Sequence, residues 1–500
     1  MTESISHPAQ LRAPGPRTRA LRRRGVHRLL VSAGIWLFVL GNLAAILWIT
    51  LFSGDGDALG YHWDSFETIL LGLGRLTAFL AGYAALIEVM LLARIPFLER
   101  LAGFDRLTIW HRWTGHAVIY LALTHVLCTV WGYAKQDGVS WFQEYWNWLT
   151  LPQPRAPGSF TGSVGSGSGP VLSINGGPPT TSPYPGIITA TVGTFLLVAV
   201  LVTSLVIVRR KLSYEWWYAI HFTAYAGIAL AWFHMIPDGN ELIADVNAAN
   251  YWRALFFFAL AIVVWYRLLR PIINTFRYGI KVTEVINEGP EIVSLRLSGR
   301  GLDRLGTKAG QFYFWRFFTK GFWYTQHPFS LSEAPKGDRF RITIKNLGDH
   351  SARFGEIPVG TRVFAEGPFG VFTEDSRTED KALLIAGGIG ITPVRALLEE
   401  MDGDVIALYR VVSSDDLVFA DELDEIAERR HIKVSYVIGD HASGEGRDLL
   451  SPTHLRELVP DIAERDVFIC GPTGMIDSIV PNLRRANVPR QHLHVERFAL

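Results

Sequence analysis

The chain of 500 residues has only two cysteines, Cys128 and Cys470. Two thiols cannot build a disulfide framework, and they fall short of the four thiolates that hold an iron–sulfur cluster. One lies in an apolar stretch and the other in the polar half, so they are not expected to pair. Charge is scarce as well. Charged residues make up 19% of the chain against 49% hydrophobic, a balance that points to a membrane protein. The formal net charge of +1 excludes little, because it averages two unlike halves, and no nucleic-acid partner is expected. No small-residue cleavage site follows the first apolar run, which argues against a signal peptide. Residues 1–28, with Pro14, Pro16 and seven arginines, read as a disordered basic N-terminus.

Six apolar runs follow, at 29–52, 66–93, 108–133, 187–208, 214–236 and 251–267. Their lengths suit helices crossing a bilayer, which takes about 17–25 residues. The charges between them set an orientation. Arg22, Arg23, Arg24 and Arg28 precede the first run, whereas the next loop, SGDGDALGYHWDS, has no Lys or Arg. Arg94, Arg100 and Arg106 fill the second loop, and Arg209, Arg210 and Lys211 the fourth. Loop 237–250 again lacks both, while Arg267, Arg270, Arg277 and Lys281 follow the last run. By the positive-inside rule both termini are cytoplasmic. The expectation is an all-α six-helix transmembrane bundle over 29–273, surrounded by lipid in the plasma (cell) membrane. Its external loop, 134–186, starts with Trp141, Phe142, Tyr145, Trp146 and Trp148, an interfacial belt or a cap over whatever lies at the outer end. It continues into Gly, Ser and Pro, a flexible composition without a metal-ligand cluster.

The third run holds His111 and His125, fourteen apart, and the fifth His221 and His234, thirteen apart. At about 100° and 1.5 Å per residue, fourteen residues return to nearly one helix face about 21 Å further on. The topology runs these two helices the same way, so His111 and His221 share the inner depth and His125 and His234 the outer. Imidazoles ligate haem iron from opposite sides, and two such pairs could clamp two stacked haems. Histidines that only bond to neighbouring helices are the alternative; four at paired depths favour ligation. Thirteen residues leave His221 and His234 off a common face, so a π-bulge, a kink or two haems at different angles around that helix is expected. Arg75, inside the second run, carries an insertion cost of about 2.5–3.5 kcal/mol and needs a partner, such as an outer haem propionate. Snorkelling to the interface is its alternative. Glu88 and His116 read as bonds to neighbouring helices, with no catalytic role.

From about 274 the texture becomes soluble. KVTEVI, EIVSLRL, QFYFWRF, RFRITIKNL and TRVFAEG alternate as an antiparallel β-barrel would, over 274–372. From 373 to 500, ALLIAGG, VIALYRVV, KVSYVI and DVFICG alternate with helical runs, an α/β parallel-sheet nucleotide-binding pattern. HPFSLS (327–332) could turn amides and a hydroxyl toward a flavin, and GDHSARF and EGPFG stand where phosphate turns would be. In LLIAGGIGITPV a strand leads through glycines to a helix start, where a backbone can approach a pyrophosphate. CGPTGM, about 80 residues on, could join it across a parallel sheet.

With the histidine spacings 14 and 13, HPFS, GGIGITP, CGPTGM and a terminal ERF, residues 29–500 resemble the ferric reductase / NADPH oxidase family. Residues 274–500 look like the ferredoxin–NADP reductase superfamily. The resemblance implies that His111 and His221 bind an inner haem b, His125 and His234 an outer haem b, and Arg75 a propionate. It also implies FAD on His327, Pro328, Phe329 and Ser330, with Lys345, Gly348 and Ser351 nearby. Gly387, Gly388, Gly390, Thr392 and Pro393 would hold the nicotinamide nucleotide diphosphate, and Cys470, Gly471 and Pro472 would lie beside the nicotinamide. Arg410 and Ser413 would meet the 2′-phosphate of NADPH, although Asp415 and Asp416 leave NADH as an alternative. Leu500 stands where relatives often have an aromatic over the flavin, and Phe498 is its substitute. No EF-hand loop precedes the first run, and no proline-rich docking tail is present.

The expectation is therefore an enzyme with no acid–base residue. It would move electrons from cytoplasmic NAD(P)H through FAD and two haems to a small acceptor outside, such as ferric chelate or dioxygen giving superoxide. A reductase for an internal electron carrier, and a histidine-relay transport or sensing protein, are the alternatives.

Overall fold

The computed structural model describes residues 16–52, 65–150, 186–238, 242, 245–289, 291–348, 351–440 and 449–498. The helices of the first half are α1 (Pro16–Phe52), α2 (Phe66–Leu91), α3 (Pro96–Ala102), α4 (Phe104–Gln136) and α5 (Trp141–Thr150). After them come α6 (Ile187–Ser204), α7 (Val206–Arg209), α8 (Tyr214–Asp238), α9 (Val246–Val263) and α10 (Arg270–Tyr278), with a π-helical turn over Val264–Leu269. Helix α1 begins at Pro16, inside the stretch 1–28 that the sequence reads as a disordered basic N-terminus. Proline suits the first helical turn, and the Arg, Ala and Leu behind it are strong helix formers. Residues 1–15, and the Gly/Ser/Pro stretch of the external loop from 151 to 185, lie outside the described residues.

Two compact units are present. One comprises Ala33–Ile95 and Asp105–Tyr266, the other Met1–Ser32, Pro96–Phe104 and Arg267–Leu500. In the helical unit, Phe79, Tyr83 and Leu86 of α2 pack with Trp252 and Ala259 of α9 and Ile46 of α1. Tyr83 donates to the Val39 carbonyl at 2.8 Å, and Tyr251 to Asn42 at 2.6 Å. Helices α6 and α8 cross closely at two glycines: a Cβ on Gly193 would stand 3.1 Å from the Gly227 carbonyl. Large apolar side chains such as Leu37, Trp113, Phe195 and Phe233 face outward from these helices, as lipid-facing residues do.

Among the described residues, five helical segments are long and apolar enough to cross a membrane: Leu29–Thr50, Phe66–Leu91, Arg106–Gln136, Ile187–Ser204 and Val246–Tyr278. The expected fifth of six spans, α8, has the length at 25 residues, but its Trp, Tyr and His content dilutes its apolarity.

The second unit holds the sheets. Strands β1 (Lys281–Gly289), β2 (Ile292–Ser298) and β5 (Arg339–Lys345) form one antiparallel sheet. Strands β4 (His327–Ser330), β3 (Phe312–Phe317) and β6 (Val363–Phe369) form another. Both contribute to a single core containing Val282, Leu295, Trp315, Phe317, Ile342 and Val363. Where a continuous barrel is the sequence expectation, the two sheets are joined among the described residues by the isolated bridges Lys281↔Arg362 and Leu331↔Ile342 rather than by continuous ladders. Register shifts in β1 and β6 pairing accompany these breaks. Phe104, next to α3, packs edge-on against Phe312 and Phe314, with ring centroids 6.2 and 5.8 Å away.

The five-stranded sheet has the order β11-β10-β7-β8-β9, with β7 (Lys381–Gly387), β8 (Asp404–Val411), β9 (Lys433–Ile438), β10 (Asp466–Pro472) and β11 (Leu493–Phe498) all parallel. Alternation puts Leu383 and Ile385 into one core and Leu384 and Ala386 into the other, as a parallel sheet covered on both faces requires. Helices α11 (Ile391–Glu400), α12 (Ala420–Arg430), α13 (Pro452–Leu458) and α14 (Thr473–Arg485) connect the strands. An ion network ties this sheet to the antiparallel part. Arg341 of β5 meets Glu422 of α12 with two bonds of 2.9 Å, and Arg395 of α11 donates to Glu422 and to the Ser332 carbonyl. Burial pushes the Glu422 carboxyl up, but Arg341 and Arg395 outweigh it and hold the group below the usual range.

Candidate functional site

In the helical unit the four histidines meet in two pairs. The rings of His111 and His221 lie 5.9 Å apart between centroids, and those of His125 and His234 6.4 Å apart. Two imidazoles sharing one metal at bond lengths of about 2.0 Å would have centroids about 6 Å apart. The pairs thus fit a bis-histidine haem in spacing. Second contacts orient the rings. His125 Nδ1 donates to the Gly74 carbonyl at 2.9 Å, which leaves Nε2 with the lone pair that a metal needs. Trp217 stacks on His221 at 4.8 Å.

His125 and His234 also line a cavity of about 510 Å³ together with Arg75, Thr129, Tyr145 and Trp148. Arg75 therefore shares a space with the His125–His234 pair, and helix α5 supplies part of the wall. Tyr145 is anchored there by a 2.8 Å bond to Thr191. Helix α8 is unbroken, so the thirteen-residue spacing needs no π-bulge. The ring planes cross at 63° between His111 and His221 and at 46° between His125 and His234. Glu88, read only as a bond to a neighbouring helix, accepts from Thr114 and sits 2.7 Å from His111 Nδ1. That second contact brings the carboxylate close to the ring nitrogen but too far off line to be a hydrogen bond. His116, by contrast, bonds within its own helix, to Arg112 O at 2.6 Å, which corrects its assignment to a neighbour.

In the other unit the chain switches direction across the parallel sheet between β7 and β10, the place where α/β sheets open a crevice. Gly387 ends β7 and Gly388 and Gly390 lie in the turn after it, while Gly471 and Pro472 end β10. The glycines interlock: a Cβ on Gly390 would stand 2.9 Å from Gly471 Cα, and one on Gly387 would overlap Met475. Gly388 differs, with φ +51° and open space where its Cβ would be. Helices α11 and α14 start directly after these turns, so two helix N-termini face one crevice, an arrangement suited to a diphosphate. Thr392 is buried and donates to the Ile389 carbonyl at 3.1 Å, with Pro393 in the first turn of α11. The Cys470 thiol is buried in the core, where desolvation raises its pKa well above normal; it is a neutral thiol beside the crevice.

Other assigned residues have additional structural employment. Arg410 ends β8 beside Gly387, but its guanidinium donates to the Val411 and Val437 carbonyls, and burial lowers its pKa. Ser413 caps the turn Ser414–Asp416, taking the Asp415 amide while Asp416 takes the Ser413 amide. Phe498 pairs with Pro472 at the end of β11 and packs on the sheet core.

The HPFS residues form the edge strand β4, a position that tolerates proline. His327 stacks parallel to Phe329 at 5.9 Å and contacts Thr325 at 3.0 Å, Trp315 donates to the Phe329 carbonyl at 3.0 Å, and Ser330 is buried. Lys345, at the end of β5, lies 4.0 Å from Asp416. Ser351 accepts from the Leu347 amide and donates to the Gly348 carbonyl, closing that loop. Residues 349–350 of GDHSARF, and Leu500, lie outside the described residues. Sequence reasoning missed the Gly74 carbonyl and the contact of Glu88 with His111. An intramembrane carboxylate was visible, but its partner was not.

Residues 77–232 match the family described as ferric reductase like transmembrane component. Residues 277–373 match an FAD-binding domain and residues 384–480 an oxidoreductase NAD-binding domain. Over 189 residues the chain is 31% identical to ferredoxin–NADP reductase B of Sorangium cellulosum, covering 34% of this chain and 77% of that protein. Over 221 residues it is 30% identical to the ferredoxin reductase component of 3-ketosteroid-9-alpha-monooxygenase from Mycolicibacterium smegmatis, covering 43% of this chain and 59% of that one. Among solved structures, the FAD/NAD-binding domain of nitric oxide dioxygenase from Vibrio cholerae is similar at 24% identity and a TM-score of 0.37, covering 44% of this chain and 98% of that domain. By its three matched domains in this order, the chain has the ferric reductase / NADPH oxidase-like architecture, a ferric-reductase-like transmembrane component joined to FAD-binding and NAD-binding oxidoreductase domains.

Proposed function

We propose that the chain carries electrons from cytoplasmic NAD(P)H across the membrane to a small acceptor outside. The observation that carries this reading is the meeting of His111 with His221 and of His125 with His234 at about the separation of two ligands on one metal. Residues 29–273 would form the six-span membrane part, with both termini inside, 274–372 the flavin part and 373–500 the nucleotide part. When bound, FAD would take a hydride and release single electrons, and two haems b would relay them between the membrane faces.

The chain's own residues supply position and field. Gly74 fixes the tautomer of His125, and Arg75 offers a cation to a propionate in the outer cavity. The glycine turns at 387–390 and 471–472 let the backbone approach the coenzyme diphosphate, and Arg410 would select NADPH over NADH. Four histidine ligands in two pairs leave no open metal position, so the acceptor would be reduced at the haem edge.

Purified protein should show the Soret and sharp α bands of bis-histidine haem. Right-side-out vesicles loaded with NADPH should reduce ferric citrate or dioxygen supplied outside. Protein lacking those bands would sink the reading in favour of a histidine relay. The names of the relatives, reductase components of monooxygenase systems, favour a second reading, in which the electrons go to an internal carrier. It predicts that external acceptors stay oxidised.

A further inference from the structure

We propose that Glu88 is a positioning residue that makes the inner histidine pair the more electron-donating of the two, so that an electron moving outward runs downhill; this rests on the haem-ligand reading above. Glu88 extends from α2 to α4 and is confined there on three sides. Its Oε1 is 2.7 Å from His111 Nδ1, and its Oε2 accepts from the Thr114 hydroxyl. Gly115 leaves it room, since a Cβ there would stand 2.8 Å from Oε1. The Glu88 side chain is 12% exposed, so little water weakens its charge at the ring.

A carboxylate 2.7 Å from the non-ligating nitrogen places a negative charge beside the ring that would carry the metal's positive charge. A negative charge that close favours the oxidised and more positive metal. The outer pair is built otherwise. His125 Nδ1 meets the neutral Gly74 carbonyl, and Arg75 lines the cavity that contains His125 and His234. An anion serves the inner pair and a cation the outer. Both differences have the same sign, lowering the inner potential and raising the outer one.

The test is a spectroelectrochemical titration of the whole purified protein with its haems and FAD, using His125→Leu to identify the inner wave. Glu88→Gln keeps the side-chain size and removes the charge. It should change the inner ferric-to-ferrous ratio at fixed poise by about tenfold toward ferrous, an upward shift of about 59 mV for one electron, with the outer wave unmoved. Glu88→Asp should recover part of the shift. An unmoved inner wave, or equal movement of both waves, overturns the proposal. Should Glu88→Gln lose the inner haem, Gly115→Ala decides, because its new methyl displaces the carboxylate. An upward inner shift supports the role of Glu88, and no shift overturns it. A wild type without bis-histidine bands overturns the underlying reading itself, a different result from unmoved waves in a haem-loaded protein.

Discussion

Gly390 and Cys470 approach so closely that a Cβ on the glycine would overlap the cysteine's carbonyl oxygen. This contact joins the turn after β7 to the end of β10, so the two halves of the nucleotide crevice act as one piece. Gly390→Ala should force them apart, an overpacking cost of about 1–3 kcal/mol. The expected result is a lower unfolding temperature and a raised KM for NAD(P)H. Wild-type values for both would show that the turns can separate without harm.

His125→Leu should remove one of two haems and leave flavin binding intact, as read by the pyridine haemochrome assay and flavin content. External acceptors should then no longer be reduced. Two haems per chain in this variant would contradict the ligand assignment.

Arg75→Leu should lower the potential of the outer haem, because a nearby cation favours the electron-rich state. Redox titration reads it directly. If neither potential moves, Arg75 does not serve a propionate.

Arg410→Ala tests coenzyme choice. A guanidinium meets a 2′-phosphate with charge-assisted bonds, which NADH cannot offer. One charged hydrogen bond of about 1.5–3 kcal/mol corresponds to a KM for NADPH roughly tenfold to hundredfold higher, with that for NADH barely changed. Because Arg410 already donates to the Val411 and Val437 carbonyls, an equal loss for both coenzymes would identify it as a clip on the sheet end.

Asp466 is fully buried and accepts from the Thr378 and Glu379 amides and from His494. Burial alone raises its pKa, but these donors bring it below the ordinary value. Its stabilising contribution is therefore complete above the ordinary aspartate pKa and disappears as pH falls through the lower folded-state value. Asp466→Asn should cost about 1–3 kcal/mol at neutral pH, with a smaller deficit below about pH 4. Flavin release on heating, followed by fluorescence at both pH values, checks the sign.

Much of this was legible along the chain, because local pattern carries it. The strands β1, β2, β3, β5 and β6 and the β7, β8, β9 and β10 runs announced themselves by β-branched and aromatic content between turn residues. HPFS did not read as a strand, since proline and four residues give no period, and β4 exists through its pairing with β3. The apolar runs and the histidine spacings determined which helices could span a membrane and which depths their histidines would share. What tertiary structure alone decided is the neighbourhood of each polar group. Gly74 behind His125, Glu88 against His111, Arg410 turned to backbone carbonyls and the interlocked glycines at 390 and 471 join residues far apart in the chain. Such contacts depend on side-chain direction and helix rotation, and periodicity specifies a face but not the partner opposite it.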